Sequence, residues 1–214
     1  MESLAALTKA LVSGFQGPGG WSMWVILIVG MLGVAITVER VFYLFVKCGL
    51  SRGRFMEDLF KILKTGDTPR AIKFAGASDM PIAKVMVSIL GNKDKGADAM
   101  NKSVDEVFLT ENPKILRYTP QIVMVANVAT LLGLLGTIYG LILAFDAVAN
   151  VPAAQRAQAL ATGISVAMAT TFFGLIIGIP LMFIHGVLSA QTDRILEEMD
   201  EKSAKLVNIL SEQA

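Results

Sequence analysis

Apolar residues along this chain gather into three long windows, residues 21–38, 119–145 and 157–184, none of which contains Asp, Glu, Lys or Arg. Each approaches or exceeds the roughly 20 residues an α-helix needs to cross hydrocarbon. At about 1.5 Å per residue the second would reach roughly 40 Å, enough to span with tilt or to protrude. Between the first two windows the pattern becomes amphipathic. Phe55, Leu59 and Leu63 recur at helical spacing and stop at "TGD", "TPRAIKFA" and "MPIAKVMVSIL" each place Pro near a helix start, and Met100, Val104 and Phe108 mark a longer helix. Beyond residue 184 the third window continues with Leu188, Ile195, Met199, Leu206 and Leu210 on one stripe among charges, a surface that needs a partner to cover it. Residues 1–16, with Leu4, Leu7, Leu11 and Phe15, read as a short amphipathic helix ending at "GPGG" and lying on a membrane surface.

The pattern predicts an all-α membrane protein with three transmembrane helices and long cytoplasmic helical extensions. Its divisions are an amphipathic arm (1–20), a first span (21–46), a cytoplasmic helical domain (47–117), a second span (118–145), a periplasmic loop (146–158), a third span (159–185) and a cytoplasmic C-terminal helix (186–214). The 54% hydrophobic content over 214 residues agrees with a membrane class. The first window starts late, behind an arm whose only charges are Glu2 and Lys9, so it reads as a retained anchor rather than a cleaved leader.

Charge then sets the orientation. Fourteen Lys and Arg lie from Arg40 to Arg117, against Arg156 alone in the short connection and Lys9 alone in the arm, so the middle region is expected in the cytoplasm. The amino terminus then lies outside and the carboxy terminus inside. Ten acidic residues, counted from Glu39 on, are mixed with those bases, the pattern of a solvated domain rather than of a nucleic-acid surface. Cys48 is single, which leaves no disulfide framework.

Enzymatic chemistry finds no support in the sequence. A GxxxxGK[ST] loop and a GxGxxG turn are both missing, and Cys48 and His185 offer no metal-ligand spacing. His185 and Ser165 fall on one helix, twenty residues and so roughly 30 Å apart, too far for a hydrolytic pair. The protein is expected to be no enzyme and to hold no cofactor or metal.

The run "LLGLLGTIYGLIL" carries Gly133, Gly136, Gly140 and one hydroxyl, Thr137. Glycine costs a helix interior about 1 kcal/mol relative to alanine, so these positions need a reason. Small residues recur at i+4 as Ala129, Gly133 and Thr137, and as Gly136, Gly140 and Ala144. On the third window they recur as Gly163, Ala167 and Thr171, and as Thr170, Gly174 and Gly178. Such spacing lets helix backbones approach in lipid. Two faces on each helix exceed what one pairwise contact requires, which predicts an oligomer. The threonines can bond their own helix at i−4 or line a polar path. A hydroxyl holds no charge near neutral pH, so if ions move here the carboxylate belongs to another subunit.

"ENPKILRYTPQIVMVANVATLLGLLGTIYGLILAF" followed by "LATGISVAMATTFFGLIIGIPLMF" resembles the paired helices of the TolQ, ExbB and MotA proton-channel family, and the layout of the whole chain is similar to its three-span TolQ/ExbB branch. The resemblance implies a homopentamer around a central pore that encloses a dimer of a single-span ExbD-, TolR- or MotB-like subunit. That subunit carries a membrane aspartate. Thr137 and Thr171 match the family's hydroxyl positions facing that aspartate. The implied function is a stator subunit of an ion-driven inner-membrane motor that couples ion flow to work in the cell envelope. Where many TolQ and ExbB members carry a glutamate, this chain has Val166. The family's usual ion, the proton, is expected. Sodium is the alternative, with Thr170 as an added oxygen ligand and a carbonyl of Ile176 freed because Pro180, the expected kink, lacks an N–H. The competing reading is a passive oligomeric scaffold that uses the same small-residue faces only to pack.

Overall fold

A computed structural model describes residues 12, 14, 15, 20–48 and 52–212. The expected surface helix over Leu4, Leu7 and Leu11 and most of the "GPGG" stop lie outside the described residues. Everything regular among the described residues is helical: α1 (Gly20–Val41), α2 (Arg52–Lys64), α3 (Thr68–Gly76), α4 (Pro81–Gly91), α5 (Ala97–Leu116), α6 (Thr119–Asn150) and α7 (Arg156–Ser211). Three helical stretches, in α1, α6 and α7, are long and apolar enough to cross a membrane. The protein is a membrane protein by this measure.

The chain forms two compact units. One holds the residues up to Val38 with Pro120–Gly186, and the other holds Glu39–Thr119 with Val187–Ala214.

The first unit is built from α1 and the apolar lengths of α6 and α7. Its large side chains are mostly exposed, among them Met168 and Phe183, and its buried positions are mostly small, among them Ala126, Ala129, Ala144 and Ala167. That inversion is the expected arrangement for helices solvated by hydrocarbon, where burial of large apolar groups brings no gain from water and close backbone contact does the packing.

The second unit follows soluble rules. Asp67 caps α3 by accepting the Arg70 amide at 3.0 Å, and Pro69 lies in the first turn of that helix. Pro81 opens α4, whose Ile82, Val85, Met86, Ile89 and Leu90 are buried. α4 packs on both α3 and α5. Phe55 of α2 stacks on Phe74 of α3 with ring centres 5.4 Å apart. The stripe on the polar end of α7 is covered within the chain: Leu188, Ile195, Met199 and Leu206 are 0–1% exposed. Met56, Phe60 and Ile82 share a cavity with Arg194, Glu198 and Lys205 of α7, and Lys205 lies 5.7 Å from the centre of the Phe60 ring. The chain's own α2 and α4 thus lie beside the polar end of α7.

Two backbone departures had no expectation in the sequence. α1 widens into a π-helical turn, Phe42–Lys47, closed by the Cys48 amide on the Tyr43 carbonyl at 3.0 Å. Between α5 and α6, Tyr118 adopts a left-handed conformation at φ 64°, an unusual one for an aromatic residue.

Candidate ion pathway

The glycines of "LLGLLGTIYGLIL" stand against α7. A methyl group on Gly174 would come 2.8 Å from the Ala129 carbonyl oxygen and 3.1 Å from the Gly133 Cα, so the two backbones touch with no room for a Cβ between them. Below and above this point the contact continues in antiparallel register. Gly178 faces Ala126 and Thr130, Gly136 faces Thr170, Gly140 faces Ala167, and a side chain at Gly163 would overlap Ala144. Gly136 also faces Ser22 of α1. Both small-residue faces of α6 are therefore spent inside the chain, on α7 and α1. This corrects the inference that two faces demand a neighbouring copy: the second face is occupied by the chain's own third helix.

The hydroxyls distribute unequally along this contact. Thr171 Oγ1 donates to the Gly133 carbonyl across the helix pair at 3.1 Å. In a regular α-helix that same carbonyl takes the Thr137 amide, so Thr171 reaches α6 at the level of Thr137. Thr137 Oγ1 donates to its own turn, at Leu134 O, 2.6 Å away. Both residues are half-exposed. Thr170 is 1% exposed; its Oγ1 donates to Ala167 O at 2.7 Å, with Gly133 O 3.3 Å off as a second acceptor. Thr170 is thus turned into the α6–α7 contact, facing Gly136, and not toward a space a second chain could enter.

A hydroxyl that gives its hydrogen to a carbonyl keeps acceptor lone pairs. Thr137 and Thr171 can therefore accept from a protonated carboxyl brought by another chain, a state that adds no charge at depth. Neither can bind a bare proton near neutral pH. Among the described residues no group of three His, Cys, Asp or Glu stands together.

Pro180 does not interrupt α7, which runs as one helix through it. It supplies no N–H to the Ile176 carbonyl. Ile176 and Pro180 line a groove of about 680 Å³ between α1 and α7, together with Thr37, whose Oγ1 is buried with no hydrogen-bond partner. Thr37 carried no sequence signal, since one threonine in an apolar run is ordinary. Val166 lines a cavity of about 440 Å³ with Gly140, Ala144, Gly163, Gln158 and Thr162, so the departure from the family glutamate falls at an open, largely apolar site. His185 lies half-buried near the end of the first unit.

The model of the MotA/TolQ/ExbB proton channel family matches residues 77–201, a stretch that holds all of α6, most of α7, and Thr137, Thr170 and Thr171. The chain belongs to this family. Relatives agree with the match. ExbB-like 3 of Synechocystis, named as a biopolymer transport protein, is 24% identical over 177 residues, covering 82% of this chain and 84% of the relative. A biopolymer transport ExbB homologue of Methanothermobacter thermautotrophicus is 27% identical over 184 residues, 86% of this chain and 63% of its own. Biopolymer transport protein exbB1 of Vibrio cholerae is 26% identical over 216 residues, covering 98% and 89%. The MotA/TolQ/ExbB family is of channel and transport type, and in this member the apolar helix pair carries oxygen atoms but no charge.

Proposed function

We propose that this protein is the pore-forming subunit of a proton-driven motor of the bacterial inner membrane, working with a single-span, aspartate-bearing partner of the ExbD or TolR kind. The observation that carries the reading is the pair Thr171 and Thr137: two half-exposed hydroxyls at one level of a helix pair that has no Asp, Glu, His, Lys or Arg between residues 119 and 145 or 157 and 184. They suit a protonated carboxyl and need one from outside. The names of the relatives support a role in energising biopolymer transport across the envelope.

In this reading the spans are residues 21–46, 118–145 and 159–185. The 47–117 domain and the 186–214 tail lie in the cytoplasm, and the amino-terminal arm and the 146–158 loop lie outside, as the distribution of Lys and Arg favours. The chain forms a pentamer around a partner dimer. Support for the ring comes from the family and from the broad exposed apolar surface of the first unit, which neighbours and lipid would share. A passive scaffold uses the same contacts and lacks only the flux. The test is native mass spectrometry of the complex, joined to proton flux in vesicles with the partner's aspartate intact or changed to asparagine. A pentamer whose flux needs that aspartate supports the proposal, and an assembly that conducts nothing in either case leaves the scaffold.

A further inference from the structure

In the second unit, two tyrosines and three cations form one column. Arg40 is 2% exposed, and its guanidinium carbon lies 4.9 Å from the centre of the Tyr43 ring and 5.3 Å from that of Tyr118. Arg117 covers the Tyr118 ring at 4.4 Å and Lys47 approaches the Tyr43 ring at 5.9 Å. The order is Arg117, Tyr118, Arg40, Tyr43, Lys47. The π-helical turn places Tyr43 and Lys47, and the left-handed Tyr118 places the other end.

Arg40 is the fixed member. Its Nη1 donates to the Lys114 and Ile115 carbonyls at 3.3 and 3.4 Å, groups in the last turn of α5 that have no helical donor. Its Nε and Nη2 grip Glu39 at 2.8 and 3.1 Å. Around it opens a polar cavity of about 240 Å³. Besides Arg40, the cavity is lined by Lys47, Lys84, Lys114 and Arg117, against the carboxylates of Glu39, Asp79 and Glu111. Glu111 holds Lys84 at 3.2 Å and Lys114 at 2.7 Å, and Asp79 stands 3.8 Å from Lys47 and 4.0 Å from Lys84. Two cations shared by one buried carboxylate leave positive charge uncompensated, and Arg117 forms no ion pair among the described residues.

The cavity belongs to chain segments that directly continue the apolar helices: Glu39 follows Val38, and Arg117 stands two residues before Thr119. On these same segments Phe42 and Phe45 of the π turn and Leu116 of α5 are 66%, 42% and 44% exposed. Bases and tyrosines mixed with exposed apolar side chains at the end of a span match an amphipathic ligand better than a freely soluble ion. We propose that this cavity seats the phosphate of an anionic lipid headgroup, in the leaflet where α1 ends and α6 begins, with the acyl chains against the neighbouring apolar residues. This site is independent of the proposed ion pathway.

The test uses the full chain in detergent, titrated with short-chain phosphatidylglycerol, phosphatidylcholine of the same chain length, and glycerol phosphate, with bound lipid counted by native mass spectrometry. The seat predicts saturable phosphatidylglycerol binding that weakens about tenfold in the Lys47→Gln/Arg117→Gln double variant, each base near an anionic surface counting for severalfold. Lys64→Gln, on an exposed residue of α2 outside the cavity, should bind as wild type does. Equal binding of phosphatidylcholine, or equal affinity in the double variant, would overturn the proposal. Binding of glycerol phosphate as tightly as of the lipid would overturn the lipid assignment and make the ligand a soluble anion.

Discussion

Thr171 donates its hydroxyl hydrogen to the Gly133 carbonyl, from one apolar helix to the other, at 3.1 Å. The bond exists because Gly133 and Gly174 let the two backbones meet, and it fixes a hydroxyl at the level where α6 presents Thr137. Interhelical hydrogen bonds in membranes contribute only about 0.6 kcal/mol on average. Thr171→Val keeps the side chain's shape, so it should lower thermal stability in detergent by less than about 1 kcal/mol. A larger loss, with dissociation of the helix pair, would make Thr171 a structural clamp.

The backbone contact itself should tolerate far less. Gly174→Val must push α7 away from Ala129 O and Gly133, and overpacking of this kind costs about 1 to 3 kcal/mol. Gly186→Ala, with nothing within 4 Å of the new methyl group, should leave stability unchanged or raise it by up to about 1 kcal/mol. Thermal unfolding of the two variants side by side separates close approach from helix propensity.

Glu111 links stability of the second unit to pH. Burial alone would raise its carboxyl, but hydrogen bonds from Lys114 and Lys84 and the charges of both lysines outweigh burial and hold it below the usual glutamate range. A carboxyl depressed on folding contributes stability that is fully present above its unfolded value, about 4.3, and is lost as pH falls through the lower folded value. Glu111→Gln should therefore cost about 1 to 2 kcal/mol at pH 7, and the gap to wild type should close in acid below pH 4 or so. A gap that is constant from pH 7 to pH 3 would show that the charge plays no part.

Thr170 decides between ions. Because its hydroxyl is buried in the α6–α7 contact against Gly136, with no open space beside it, it should coordinate no cation. Replacing sodium by potassium at fixed pH should leave flux through the two-protein complex unchanged. Flux that stops without sodium and returns on its addition would overturn the proton assignment and return Thr170 to the ligand set.

Much of the architecture was legible because its causes are local. Charge-free apolar runs mark the long helices, and Pro69 and Pro81 mark two starts by the φ they fix. The stripe Leu188, Ile195, Met199 and Leu206 announced a buried face, yet α2 and α4, which lie beside this end of α7, are more than a hundred residues away and leave no mark near it. The same limit hid the register in which Gly136, Gly140 and Ala144 also meet Thr170, Ala167 and Gly163, so the second small face pointed to a neighbouring copy instead of to the chain's own α7. Tyr118 gave no warning, since left-handed backbone is legible at glycine and not at an aromatic residue. The column around Arg40 draws on positions from 40 to 118, which only the fold unites.

The most direct test of the ion pathway is proton flux driven by a pH gradient in vesicles that contain this protein and its single-span partner, for wild type, Thr137→Val and Thr171→Val, with assembly checked by native mass spectrometry. The account predicts complexes of unchanged composition in which wild type conducts and each valine variant loses most or all of its flux. Valine variants that assemble and conduct at the wild-type rate would contradict it, and would leave both threonines as packing residues whose hydroxyls serve only Leu134 and Gly133.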